Sequence, residues 1–155
     1  MSNILLYTFA KPQKLSYRVC HDLDLPSSDK HYLGNLQVLV SQMVTGNYKL
    51  VVGIGDYDKH ASHIQIETVF ANKYGRKPIL AGAPDILMIT WQPHLLEGMV
   101  LATQTTTGPC NRSAYLLQNE ANLRHLLTRI VFVHLPGLFD FQQAIEQVTK
   151  FCRNN

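Results

Sequence analysis

The sequence predicts an α/β fold in three layers, α/β/α, with a mainly parallel twisted sheet and helices on both faces. Three observations predict it. Short apolar, β-prone runs recur at Ile4 to Phe9, Lys49 to Ile54 and Ile130 to Leu135, and such runs read as strands buried on both sides. Segments with helical spacing lie between and after them, the alternation that builds parallel crossover units. With 155 residues, 46% of them hydrophobic, the chain has apolar material for one core, so a single domain over residues 1–155 is expected.

The elements follow in order. Ile4 to Phe9 ends at Lys11-Pro12-Gln13-Lys14, a turn signal. From Leu15 to Leu25 two spacings compete: Leu15, Val19 and Leu23 keep a helical period, while Tyr17, Val19, Leu23 and Leu25 fit an extended strand running into Pro26, the reading preferred. Ser27, Ser28 and Asp29 are N-cap residues, and Leu33, Leu36, Val40, Met43 and Val44 then follow at helical spacing to Gly46. The strand at Lys49 to Ile54 opens into a loop at Gly55-Asp56-Tyr57-Asp58, the end of a strand where open α/β sheets place their sites. Ile64 to Ile66 is a short strand, and Glu67 to Tyr74 is left as loop or one helical turn. Leu101 to Thr107 is β-branched and runs into Gly108-Pro109-Cys110. Ala114, Leu117, Ala121, Leu123 and Leu127 mark a helix, which sets Cys110 at a strand-to-helix turn. Ile130 to Leu135, closed by Pro136-Gly137, is a buried strand, and Phe141 to Phe151 is an amphipathic closing helix.

Composition narrows the partner. Charged residues make up 16% and the formal charge is +3, too weak a field to gather nucleic acid or an anionic membrane. No RNA-binding aromatic signature and no zinc-finger spacing occurs. The residues from Met1 to Phe9 lack a basic region, a long apolar stretch and a cleavage site, and no apolar run reaches the ~20 residues that span a bilayer. Cys20, Cys110 and Cys152 form an odd set without a C-x-x-C pair, against a disulfide framework or structural zinc. A cytoplasmic protein whose partner is a small molecule or peptide is the expectation.

Most free cysteines simply pack in a core. Cys110 differs by position, because the first-turn amides and dipole of the following helix favour thiolate and can hold an oxyanion. A thiol nucleophile needs a base, and His134 alone among seven histidines interrupts a strongly apolar strand near its carboxyl end. Glu67, expected after the preceding strand on the same rim, is the carboxylate that could orient the ring; a core histidine and a solvated glutamate are the ordinary alternatives.

These residues sit in segments that resemble the pyroglutamyl peptidase, or pyrrolidone carboxyl peptidase, family of cysteine peptidases. Val100 through Gly108-Pro109-Cys110-Asn111 to Tyr115 is similar to the family's nucleophile motif, and the 24-residue step from Cys110 to His134 matches as well. Phe132-Val133-His134-Leu135-Pro136 resembles its Phe-Ile-His-Val-Pro motif, and Ile66-Glu67-Thr68-Val69-Phe70-Ala71-Asn72 its Leu-Glu-Arg-Val-Ala-Ile-Asn segment. The resemblance implies Cys110 as nucleophile, His134 as base and Glu67 as orienting acid, acting on a peptide or small amide substrate without a cofactor. It also implies substrate contacts from Pro109 and Asn111 beside the sulfur, from Arg76 before Pro78, and from Phe9 in the Thr8-Phe9 match to the family's Thr-Gly-Phe opening. The chain departs after Phe9, where the family's Glu-Pro-Phe-Gly is not present. It is also shorter between Asn72 and Cys110, where a family hairpin for substrate cover and subunit contact is trimmed, so a homo-oligomer stays open.

Four other readings compete. Asp56, Asp58, His60 and His63 could hold a divalent metal, but a solvated loop fits better and no metal is expected. Gly53-Ile54-Gly55 lacks the third glycine of a nucleotide-binding turn. A hydrolase for another amide, with its pocket remodelled around Phe9 and Trp91, or a catalytically quiet relative that binds a partner, are the functional alternatives.

Overall fold

A computed structural model of the chain describes residues 3–57 and 60–155. Eight strands run β1 (Ile4–Phe9), β2 (Ser28–Leu33), β3 (Leu50–Tyr57), β4 (Ile64–Glu67), β5 (Val69–Ala71), β6 (Ile86–Met88), β7 (Met99–Leu101) and β8 (Arg129–Pro136) among the described residues. The helices are α1 (Leu15–Asp22), α2 (Leu36–Gly46), α3 (Pro109–Leu123) and α4 (Phe141–Asn154). Six strands form one sheet in the order β2-β1-β3-β8-β4-β7, and β5 and β6 pair separately. All neighbours in the large sheet are parallel except β4, which runs antiparallel to β8. The three-layer, mainly parallel α/β/α architecture is therefore present.

The period-2 alternation of the strands divides the core into two layers. Leu6, Val52, Ile54, Val131 and Val133 pack with Val19 of α1 and with Val148 and Phe151 of α4. Leu5, Tyr7, Val51, Ile130 and Phe132 pack against Leu39 and Met43 of α2 and Tyr115 and Leu117 of α3. Each fully buried side chain of this size contributes about 1.5–3 kcal/mol. A one-residue slip of β8 against β3 would exchange the two sets and misplace both layers, so the register is strongly specified.

Local chemistry explains the helix ends. Asn35 accepts from the Gln37 N–H at 2.8 Å to cap α2, and Asn47 closes that helix in the left-handed region at φ 51°. Asp140 accepts from the Gln143 N–H at 2.8 Å to cap α4. Gly108 enters α3 extended and Pro109 takes the first position, where its missing N–H costs nothing.

Four expectations are corrected. Residues 15–22 are helix, because Val19 and Cys20 fall on one face and bury against the sheet, and Pro26 only bounds the segment. The helix expected from Ser27 begins at Leu36; Ser28 Oγ spends its hydrogen on Leu25 O at 2.8 Å, and residues 28–33 form the half-buried edge strand beside β1. Glu67 to Tyr74 contains strand β5 and no helical turn. Strand β7 stops at Leu101, so irregular chain and not a strand leads into α3, while Leu127 lies past the helix end and is almost fully exposed. No helix among the described residues is long and apolar enough to cross a membrane.

Candidate active site

Parity along the strands assembles the site. On β8, His134 alternates with Val133 and Leu135 and shares the face of Phe132, the face covered by α3. On β4, Ile64 and Ile66 face the α1 and α4 layer, which turns Gln65 and Glu67 toward α3. Glu67 stands opposite Phe132, and its side chain reaches diagonally to His134, where Glu67 Oε2 and His134 Nε2 lie 2.8 Å apart. Both residues are buried, at 1% and 5% exposure. A carboxylate only accepts, so His134 Nε2 donates this bond, and in a neutral ring the lone pair is on Nδ1. Glu67 Oε1 also accepts a long 3.4 Å bond from the Thr106 N–H. The expected position of Glu67 at the carboxyl rim is corrected: it ends a short antiparallel strand inside the sheet, two register positions below His134.

Cys110 is the second residue of α3. Its sulfur lies over Gly55 of β3, the register partner of His134 on the adjacent strand, so the α3 sulfur and the β8 imidazole lie on one face of the sheet, over neighbouring strands. A Cβ at Gly55 would stand 3.0 Å from Sγ. The Gly53-Ile54-Gly55 segment is thus no nucleotide turn: it lies within β3, and the two glycines make room for Phe132, Tyr7 and the sulfur. His134 Nδ1 is buried without a hydrogen-bond partner among the described residues. Burial, followed by the Glu67 and Asp56 carboxylates, pushes the Cys110 thiol up to about 12, against a smaller opposing pull from its own backbone N–H and from Lys11. The thiolate expected from the helix start is therefore not the resting form, because desolvation outweighs the first-turn dipole.

Residues missed from the sequence support this arrangement. Ser113 donates to Cys110 O at 2.8 Å, so the hydroxyl of Tyr7, 3.1 Å away, donates to Ser113 Oγ. Asp56 accepts from the Ser16 N–H at 3.3 Å and the Ser16 hydroxyl at 2.6 Å, supplying from β3 the cap that Lys14 cannot give α1. The i, i+2 glycines facing an i, i+2 Phe and His were the available signal for Gly55; nothing local pointed to Ser16, and Asp56, expected in a loop and as a possible metal ligand, lies in β3 and caps α1 instead.

A cavity of about 470 Å³ opens at the sulfur, lined by Cys110, Phe9, Pro109 and Tyr74 and by Lys11, Lys14, Ser16 and Asp56. A second, of about 440 Å³, shares Phe9 and Pro109 and continues toward Leu33, Leu36 and Arg112. Phe9 and Pro109 thus border both spaces. Asn111 does not face them: fully buried, it accepts from the Ala71 N–H at 2.8 Å and donates to Ala71 O and Lys73 O at 2.9 Å each, fastening β5 to α3. Arg76 is exposed on the turn closed by Tyr74 and Lys77 and lines neither cavity. Trp91 packs on the opposite face, under Arg129. Of the four candidate metal ligands, Asp58 lies outside the described residues, and no group of three or more acidic, His or Cys side chains among those described could hold an ion.

The fold and site define a three-layer α/β/α protein with a buried carboxylate–imidazole pair beside a thiol at a helix start. The pyrrolidone carboxyl peptidase of Thermococcus litoralis has this fold, with a TM-score of 0.80 at 11% identity over 99% of this chain and 92% of that one. A mutant pyrrolidone carboxyl peptidase from Pyrococcus furiosus matches with a TM-score of 0.77 at 15% identity over 97% and 96%. Pyroglutamyl peptidase I of Bacillus amyloliquefaciens matches at 0.76 and 17% identity over 99% and 94%. The fold of this chain is that of the pyrrolidone carboxyl peptidases. No protein-family model and no curated protein matches the sequence.

Proposed function

We propose that the chain is a divergent pyrrolidone-carboxyl-peptidase-like cysteine hydrolase that cleaves N-terminal pyroglutamate, or a related small acyl group, from an amide. The observation that carries the reading is the buried 2.8 Å pair of Glu67 and His134, which leaves Nδ1 as the ring nitrogen for a reacting proton, on the strand next to the one over which the Cys110 sulfur lies. In this mechanism Nδ1 takes the thiol proton as sulfur attacks the scissile carbonyl, and the S–C bond forms. The first-turn amides of α3 hold the oxyanion. His134 passes the proton to the departing amine as the C–N bond breaks, with Glu67 stabilising the transient imidazolium. Water, deprotonated by the same nitrogen, then cleaves the thioester and restores the thiol. Because burial keeps the resting sulfur protonated, the base acts in step with attack. Pyroglutamyl-anilide turnover by the chain and by Cys110→Ala tests the proposal; equal rates discard it.

A second reading, a quiet relative that kept the fold as a binding protein, is favoured by one observation: Nδ1 has no hydrogen-bond partner, Cys110 included, among the described residues. It predicts no turnover and iodoacetamide labelling of Cys110 no faster than that of an ordinary thiol.

A further inference from the structure

The cavity at Cys110 is charged unevenly. At the sulfur the field is negative, since Glu67 and Asp56 both oppose the thiolate. The mouth is positive: Lys11 and Lys14 line it, are exposed, and are held in one hydrogen-bonded turn by Lys11 N–H to Phe9 O at 2.7 Å and Lys14 N–H to Lys11 O at 2.9 Å. Neither ammonium enters an ion pair among the described residues. The other charged group on this wall, Asp56, accepts from Ser16 with both oxygens and forms no ion pair with either lysine among the described residues. The stretch carrying these lysines is also the one in which the sequence departs from the family it resembles.

Resting on the hydrolase reading, we propose that the departing amine of the substrate carries a carboxylate that Lys11 and Lys14 receive, so that the substrate is an N-acyl amino acid or capped dipeptide. A carboxylate on the acyl half, seated at the sulfur, would lie in the field of Asp56 and Glu67 and is repelled. One on the carbon next to the scissile nitrogen emerges at the mouth, within reach of flexible lysine side chains. The bond broken is the amide C–N; its nitrogen takes the proton from His134, and a free amino acid leaves past the two cations.

The test is calorimetric titration of Cys110→Ala protein with pyroglutamyl-alanine and with its carboxyl-terminal amide, a neutral ligand of nearly the same shape. The acid should bind roughly three- to tenfold tighter, as expected of two solvent-exposed charge contacts. That advantage should vanish when Lys11→Gln and Lys14→Gln are added, and shrink at high salt. Thermal unfolding of the added variants checks that they fold. Equal affinities for acid and amide, an advantage that survives loss of both lysines, or no binding of either ligand overturns the proposal. Failure of the hydrolase reading shows elsewhere, as absent pyroglutamyl-anilide turnover by the unaltered chain.

Discussion

Gly55→Ala probes the floor of the site. The added Cβ would lie 2.8 and 2.9 Å from two ring carbons of Phe132 and 3.0 Å from Cys110 Sγ, whereas non-bonded carbons rest at about 3.5–4.0 Å. The sulfur ends a side chain with one torsion and can swing into the adjoining cavity. Phe132 has less freedom: it is fully buried, edge-packed on Tyr7 at 5.9 Å and tilted on His134 at 4.8 Å, so moving its ring moves the base. Overpacking of this kind costs about 1–3 kcal/mol, or about 2–12 °C in Tm for a chain of this size. Displacing a reacting atom by about 1 Å lowers turnover by about a hundredfold. Thermal unfolding and pyroglutamyl-anilide hydrolysis read the two effects separately. Gly53→Ala, whose Cβ would come within 2.3 Å of Phe132 and 2.6 Å of Tyr7, should lower Tm further. A Gly55→Ala protein with unaltered Tm and turnover would refute the packing of sulfur and Phe132 over this glycine.

Replacing Glu67 by Gln keeps the shape and removes the charge opposite His134, so kcat should fall about a thousandfold or more with KM nearly unchanged; a loss below tenfold would deny Glu67 its orienting part. Asn111→Ala removes three hydrogen bonds to Ala71 and Lys73, two of them fully buried, and should cost about 2–4 kcal/mol in urea unfolding, and a change within error would show that β5 is held otherwise. The thiols of Cys20, Cys110 and Cys152 are all pushed by burial from 9.0 to about 12. The folded chain therefore retains protons that the unfolded chain releases, and its stability, full below the unfolded value, falls as pH rises between them. Urea midpoints should be flat below about pH 8 and decline above it, less steeply in Cys20→Ala; an identical slope in that variant would contradict this assignment.

Periodicity made much of the fold legible. β1, β3, β8 and α4 are apolar segments long and regular enough that burial alone selects their conformation. It failed where two local signals competed. The run from Leu15 kept both periods until packing against β1 and β3 chose the helix, and Ser27-Ser28-Asp29 carries cap chemistry that a turn before β2 uses instead, with Ser27 at φ 60°. The three-residue strands β5, β6 and β7 are too short to carry a period of their own and exist through their partners.

By itself the sequence determined the alternation of layers and the candidate chemistry, because strand and helix periods and the motifs around Cys110, His134 and Glu67 are written in consecutive residues. Only the tertiary structure decided that β4 runs against β8 and carries Glu67 to the imidazole, that Gly55 seats the sulfur, and that Asn111 is a bracket between elements. The physical reason is that these depend on register, parity and desolvation across strands distant in the chain. No local pattern encodes the free energy of a group whose neighbours arrive from elsewhere.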